Sequence, residues 1–188
     1  MKNNWNRDKY IEAWDFATLK HRGQVYGAKE EGVEIDYINH IGAVSMEIMW
    51  FLSNSQNSYN ADLALHCAIL HDTLEDTQTD FAEIEELFGK QVANGVLALT
   101  KDKNLPKDKQ MTDSLMRIQQ QPKEVWLVKM ADRVSNLCAP PFYWKNEKII
   151  SYQKEAETIY NALASADSLM AERLMERIKR YNFFIAKK

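Results

Sequence analysis

The sequence predicts an all-α protein, and three observations carry that reading. Punctuation is sparse, with 6 Gly and 4 Pro in 188 residues, too few for a fold built on many β-turns. Apolar residues recur at helical spacing in one segment after another. The balance of 45% hydrophobic to 27% charged residues is that of an ordinary soluble globular chain and excludes wholesale disorder. A chain of this length buries roughly 70% of its unfolded surface, so it needs no disulfide or metal staple merely to fold.

The elements follow in order. Residues 5–21 place Tyr10, Ile11, Trp14, Ala17 and Thr18 at helical spacing and stop at Gly23. The polar segment that follows, with Gly27 and Gly32, reads as a loop. Helices are expected over 39–54, 60–74, 80–88 and 90–100, the last two parted by Gly89. After a Lys-rich loop around Pro106 come helices over 109–120 and 123–138. Pro122 stands at a helix start, where its missing N–H costs nothing, and Pro140-Pro141 closes that helix. Amphipathic helices over about 145–164 and 167–185 complete the chain. Their stripe of Tyr152, Ile159, Tyr160, Leu163, Leu169, Leu174, Ile178 and Tyr181 reads as core. Arg173, Arg177, Lys179 and Arg180 read as a solvated face near a helix end that favours cations. With no repeat, low-complexity tract or Gly/Ser linker, the expectation is one domain of about eight to ten helices over residues 1–188.

Charge and leader signals narrow the partners. A net charge of -3 argues against a dedicated duplex-DNA binder, which needs clustered cations, and leaves a small phosphate-bearing ligand open. The first seven residues lack the apolar core of a signal peptide. The most apolar stretch, Ile41 to Leu52, contains Glu47 and is too short to span a bilayer. Cys67 and Cys138 show no CxxC spacing and read as buried free thiols. The expectation is a cytoplasmic protein with a small-molecule partner, no nucleic acid and no membrane. Nothing in the sequence specifies an oligomer.

The densest chemistry lies in His66-Cys67-Ala68-Ile69-Leu70-His71-Asp72-Thr73-Leu74-Glu75-Asp76-Thr77. An apolar helix there delivers four ionisable groups at once, with His71 and Glu75, and Asp72 and Asp76, each four apart. A polar helix end is one reading. Carboxylates at a helix C-terminus oppose the macrodipole, however, and a bound divalent metal would compensate them. Residues 123–137 are apolar on most sides, yet Lys129, Asp132, Arg133 and Asn136 form a polar stripe at i, i+3, i+4 and i+7. Burying that stripe unpaired costs several kcal/mol, so it meets either helix partners or a metal and ligand. His40 opens a helix after Asp36-Tyr37-Ile38-Asn39. Together with His71, Asp72 and Asp132 it would complete a mixed imidazole and carboxylate set suited to Mn²⁺, Fe²⁺ or Zn²⁺ and to metal-assisted hydrolysis.

This H…HD…D set resembles the HD-domain phosphohydrolases. The chain is more closely similar to the hydrolase domain of RelA/SpoT-type proteins and their single-domain relatives, the small alarmone hydrolases. The resemblance rests on His21-Arg22-Gly23-Gln24, Tyr37-Ile38-Asn39-His40, the HDTLEDT run at 71–77, and Lys129-Met130-Ala131-Asp132-Arg133 with Asn136. Phe88-Gly89 and Leu99-Thr100-Lys101 match intervening signals, so the motif core covers 13–137 and the C-terminal helices 145–185 lie beyond it. The resemblance implies a helical bundle holding one Mn²⁺ through His40, His71, Asp72 and Asp132. It also implies hydrolysis of guanosine tetra- or pentaphosphate to GDP or GTP and pyrophosphate. Glu75 and Asp76 match the pair that positions and activates the attacking water. Asn136 matches a residue near the nucleotide sugar, and Tyr37 and Lys101 stand at further substrate-side positions. Lys129 meets phosphate charge or braces Asp132, while His21, Gln24 and Arg133 are expected behind the ligands. No nucleotide-synthetase domain is expected after Leu137.

The recognition positions depart from that pattern. Gln24 is followed by Val25-Tyr26-Gly27 where the family carries a basic pair, so Tyr26 is the candidate for stacking on a base and Lys29 for supplying charge. The loop from Gln24 to Tyr37 is longer than usual, Ile41 replaces a common proline, Val134-Ser135 replaces a more usual Leu-His, and Ala139 replaces a hydroxyl or acid. These changes leave room for another phosphorylated nucleotide, such as an adenine alarmone or the 2′-phosphate of NADPH. A nucleotide sensor without turnover is the third reading.

Overall fold

The computed structural model describes residues 4–28 and 30–186. Its described residues form ten α-helices, one 3₁₀ turn and one two-stranded ribbon, as an all-α reading requires. In chain order these are α1 (Arg7–Lys20), β1 (Val25–Tyr26), β2 (Ile35–Asp36), α2 (Ile38–Asn54), α3 (Ala61–Leu70) and α4 (Thr73–Asp76). Then follow α5 (Phe81–Phe88), α6 (Lys90–Leu99), α7 (Lys107–Gln119), α8 (Lys123–Asn136), α9 (Asn146–Leu163) and α10 (Ser168–Ala186), with the 3₁₀ turn at Ala164–Ala166.

Local chemistry sets the helix starts and stops. Asn6 accepts from the N–H groups of Asp8 and Lys9, Asn60 from Leu63 N–H, and Asp80 from Glu83 N–H, each satisfying donors that a helix start leaves open. Gly89 takes φ +87° between α5 and α6, a backbone conformation that other residues adopt only with strain. Two expectations change. The helix expected over 60–74 breaks after Leu70 and resumes as α4. The expected loop after Gly23 contains a short antiparallel ribbon, with Val25 opposite Asp36 and Tyr26 opposite Ile35. Two-residue strands are too short to show an alternating pattern, so the sequence held no signal for them.

The core is centred on α3, in which every residue but Asp62 is buried. It is packed by α1, α2, α6 and α8. A Cβ at Gly95 of α6 would stand 2.7 Å from Cys67 Sγ and 3.0 Å from Val125 Cγ2, so glycine lets α6 approach α3 and α8. Of the predicted stripe, the C-terminal helices bury Ile159, Leu163, Leu174, Ile178 and Tyr181 and leave Tyr152, Tyr160 and Leu169 half-buried. Arg173 is a correction to the solvated face: it pairs with Glu47 at 2.6 Å and lies over Trp50. Cys67 is buried but Cys138 is half-buried, because it follows α8 into the turn at 137–139. No helix of the described residues is long and apolar enough to cross a membrane.

Gly95→Ala is expected to destabilise the fold by about 1–3 kcal/mol, the range for overpacking a tight core. Thermal unfolding measures it, and an unchanged Tm would contradict the close approach.

Candidate metal centre

Four predicted ligands converge from four elements. His40 lies in the first turn of α2, His71 caps the C-terminus of α3, Asp72 precedes α4, and Asp132 belongs to α8. The break after Leu70 allows His71 and Asp72, adjacent in sequence, to face one point; in a continuous helix they would diverge by about 100°. Side chains satisfy the carbonyls that the break exposes. His71 Nδ1 lies 2.8 Å from Ala68 O, and Thr73 Oγ1 donates to Leu70 O at 2.6 Å.

The donor atoms are spaced as ligands are. The two imidazole Nε2 atoms lie 3.3 Å apart. Asp72 Oδ2 is 2.9 Å from His71 Nε2 and 3.6 Å from His40 Nε2. Asp132 Oδ1 is 3.4 Å from His40 Nε2 and 3.9 Å from His71 Nε2. Ligand atoms each about 2.1 Å from one cation stand roughly 3.0–3.5 Å from one another. With Nδ1–H given to a backbone carbonyl, His71 turns the lone pair of Nε2 toward the cluster, the tautomer a metal requires. His40, His71 and Asp72 place their donor atoms within 4.8 Å of one another, and Asp132 joins through both imidazoles. The residues present fit a divalent cation.

Without a cation, protons serve in its place. Burial alone would lower the His40 pKa, but hydrogen bonds and charge from Asp132 and Asp72 outweigh it and push the pKa up to about 9. His71 is raised in the same way, chiefly by the charge of Asp72. Burial would raise Asp72 and Asp132. The charge of His71 instead holds Asp72 well below the carboxylate range, and Lys129 with the imidazoles does the same for Asp132.

A second layer orients these groups. Tyr37 Oη donates to Asp72 Oδ2 at 2.6 Å and lies 3.3 Å from Asp76 Oδ2. Lys129 Nζ donates to Asp132 Oδ2 at 3.2 Å, so it braces the carboxylate rather than facing open solvent. Asn136 Nδ2 donates to Asp132 Oδ1, and Tyr26 Oη donates to Asn136 Oδ1. His21 stacks on Tyr37 with centroids 4.9 Å apart and its Nδ1 lies 2.7 Å from Gln24 Oε1, while Gln24 Nε2 donates to Asp76 O at 2.7 Å. His21 and Gln24 therefore hold the C-terminal end of α4, where Asp76 stands.

Other residues lie apart. Glu75 Oε2 accepts from Lys101 N–H at 2.9 Å, and Lys103 Nζ donates to Glu75 O, tying Glu75 to the loop between α6 and α7. Both border a cavity of about 410 Å³ that Leu97, Thr100 and Arg117 also line. Arg133 turns away from Asp132. Its guanidinium lies 4.0 Å from the Tyr152 ring centroid and 3.3 Å from Glu155 Oε2. The polar stripe of α8 thus splits, with Lys129, Asp132 and Asn136 on the metal side and Arg133 against α9. Lys29 lies outside the described residues. A second cavity, of about 250 Å³, is bordered by Tyr26, Asn136, Tyr143, Trp144 and Tyr152. Sequence reasoning placed Tyr152 in the core and overlooked Tyr143 and Trp144. Spacing does not separate a cavity-lining aromatic from a core one.

The HD-domain family model matches residues 13–169. The chain belongs to the HD-domain family. It is similar to the guanosine-3′,5′-bis(diphosphate) 3′-pyrophosphohydrolase MESH1 of Xenopus tropicalis, at 31% identity over 87% of this chain and 89% of that one. The Homo sapiens protein of the same name is 31% identical over 90% and 93%. A solved structure described as a metazoan ortholog of SpoT that hydrolyzes ppGpp superposes with a TM-score of 0.79 at 26% identity, covering 94% of this chain and 97% of that chain. Within the HD-domain family the chain is thus of the RelA/SpoT type, and an enzyme of a metal-dependent phosphohydrolase class.

Cation uptake must displace protons from the imidazoles. Affinity for a divalent cation is therefore expected to rise with pH up to about 9, with proton release visible as buffer-dependent heat in calorimetry. Heats identical across buffers would contradict this. Stability of the cation-free protein runs the opposite way. The contribution of a raised histidine pKa is complete below the ordinary value of 6.5 and lost as pH climbs through about 9, so Tm without cation is expected to fall across that window.

Proposed function

We propose that this chain hydrolyses the 3′-diphosphate of guanosine tetra- and pentaphosphate, with Mn²⁺ as its cation, yielding GDP or GTP and pyrophosphate. The observation that carries the reading is the set of buried His40, His71 and Asp132 with half-buried Asp72 at ligand spacing, beside an exposed carboxylate at Asp76. The names and activities of the similar proteins supply the substrate class. Two imidazoles and two carboxylates make the mixed N/O set that suits Mn²⁺. When bound, the cation lowers the pKa of water and neutralises phosphoryl charge.

The chain's own residues perform the rest. The 3′-oxygen bond to phosphorus breaks as water adds to that phosphorus, the water losing a proton while the departing 3′-oxygen gains one. Asp76 takes the water's proton at its carboxylate, held in place by Tyr37 Oη and by the Gln24 contact to its backbone. Glu75, fixed by Lys101 N–H, works with Asp76 to position and activate the attacking water and keeps the Lys101–Lys103 loop in register. The ammonium groups of that loop meet the phosphates. Tyr37 keeps Asp72 oriented, and Lys129 and Asn136 do so for Asp132.

An aromatic cavity supports a second reading. Tyr26, Tyr143, Trp144 and Tyr152 border the space beside Asn136 without a cation among them, and aromatic faces stack on any base. An adenine alarmone or the 2′-phosphate of NADPH would fit the same chemistry.

Products from the Mn²⁺-loaded protein and guanosine tetraphosphate, resolved by ion exchange, test the first reading. Equal amounts of GDP and pyrophosphate are expected, and no turnover with cation bound would refute it. A kcat/KM that favours adenine substrates would transfer the assignment to the second. Asp72→Ala is expected to abolish Mn²⁺ binding. Glu75→Gln and Asp76→Asn are expected to retain the cation while lowering kcat by about 10²-fold or more, the usual worth of a positioned acid–base group. Paired cation titrations and rate measurements separate the two effects, and wild-type kcat in either variant would remove that residue's role.

A further inference from the structure

Tyr26 touches the surroundings of three of the four ligands. Its hydroxyl donates to Asn136 Oδ1, and Asn136 Nδ2 donates in turn to Asp132 Oδ1, the oxygen that faces both imidazoles. Its ring lies parallel to the imidazole of His40, with centroids 5.0 Å apart and planes 7° apart. Its edge meets Tyr37 at 6.1 Å and 79°, and Tyr37 donates to Asp72. The residue stands on a ribbon that is itself fastened. Phe142 N–H donates to Ala28 O at 3.2 Å, and a Cβ at Gly27 would come within 2.9 Å of Pro141 Cγ.

The geometry points to Tyr26 as a positioning residue of the metal centre, whose hydroxyl sets Asp132 through Asn136 and whose ring fixes the plane of His40. This rests on reading the cluster as a cation site. An orienting partner for a metal ligand works by removing the alternatives open to it: an unbraced carboxylate rotates, and an unstacked imidazole turns about its side-chain bonds. Both motions disperse the donor atoms and weaken the cation. The ribbon that borders the aromatic cavity is thereby mechanically joined to the cation site through one side chain.

The test is the Mn²⁺ dissociation constant, read by electron paramagnetic resonance of the free ion, with no nucleotide present. It is measured for wild type, Tyr26→Phe, Tyr26→Leu, Asn136→Ala and the double variant Tyr26→Phe/Asn136→Ala, each checked for folding by circular dichroism and Tm. Tyr26→Phe keeps the ring and loses the hydroxyl, so affinity is expected to fall about 10-fold, at the lower end of the range for such partners. Tyr26→Leu is expected to fall further. In the Asn136→Ala background, Tyr26→Phe is expected to add nothing, since the two residues act in one chain. Folded Tyr26 variants that bind Mn²⁺ like wild type would overturn the inference, and so would effects that add independently. Failure of the wild-type protein itself to bind Mn²⁺ would overturn the metal-centre reading and this inference together, and that outcome is distinct from a variant-specific null.

Discussion

Two carboxylates that face the same pair of imidazoles govern this molecule. Asp132 is buried and Asp72 half-buried against buried His40 and His71, and an uncompensated charge in such surroundings costs several kcal/mol. Their compensation explains features that otherwise look unrelated. Histidines from α2 and α3 close on them, Lys129 reaches back along α8, and Tyr37 and Asn136 each direct a donor at a carboxylate oxygen. A divalent cation discharges the same debt more completely, because it opposes both carboxylates while leaving the imidazoles neutral.

The scaffold makes that arrangement affordable in conformational terms. His71 follows a helix whose residues are almost all buried, and Gly95 lets α6 close against it, so the ligand's backbone has little freedom left to lose. The C-terminal break of α3 is stabilised locally by His71 and Thr73 themselves. The same histidine that faces the cluster thus also caps the helix that presents it, and ligand geometry and helix end are specified together.

The sequence made the helices and the candidate ligand set legible for different reasons. The helices announced themselves through long apolar periodicity and through glycine or proline at their ends. The ligands announced themselves because histidine and paired acids are costly in apolar helices. What escaped had no such signal. The ribbon at 25–26 and 35–36 is too short for alternation, and the break at His71 is invisible to a period that continues through it. On α8, Asp132 and Arg133 looked like one stripe because i+3 and i+4 are both near neighbours on a helix; the 100° between them sends one to the cluster and the other to Tyr152. Tyr152 itself was read as core, since a stripe does not reveal that one edge of a buried ring lines a cavity.

On the proposed reading, the cation site and the surface that recognises the base are built on different principles, and that difference sets what each can discriminate. The cation site is made of charged groups that saturate one another, so substitution there has no cheap alternative. Four aromatic residues, Tyr26, Tyr143, Trp144 and Tyr152, wall part of the cavity beside Asn136, and stacking is nearly indifferent to which base is stacked. Selection between bases must then come from hydrogen bonds to their edges. Asn136 is the polar amide nearest to that task, yet its oxygen already accepts from Tyr26 and its nitrogen already donates to Asp132. Each atom retains one further bonding position, so a nucleotide that used them would load the same amide that orients a metal ligand. Recognition and cation geometry are in this way not independent, and a change of base preference at this wall would be felt at Asp132.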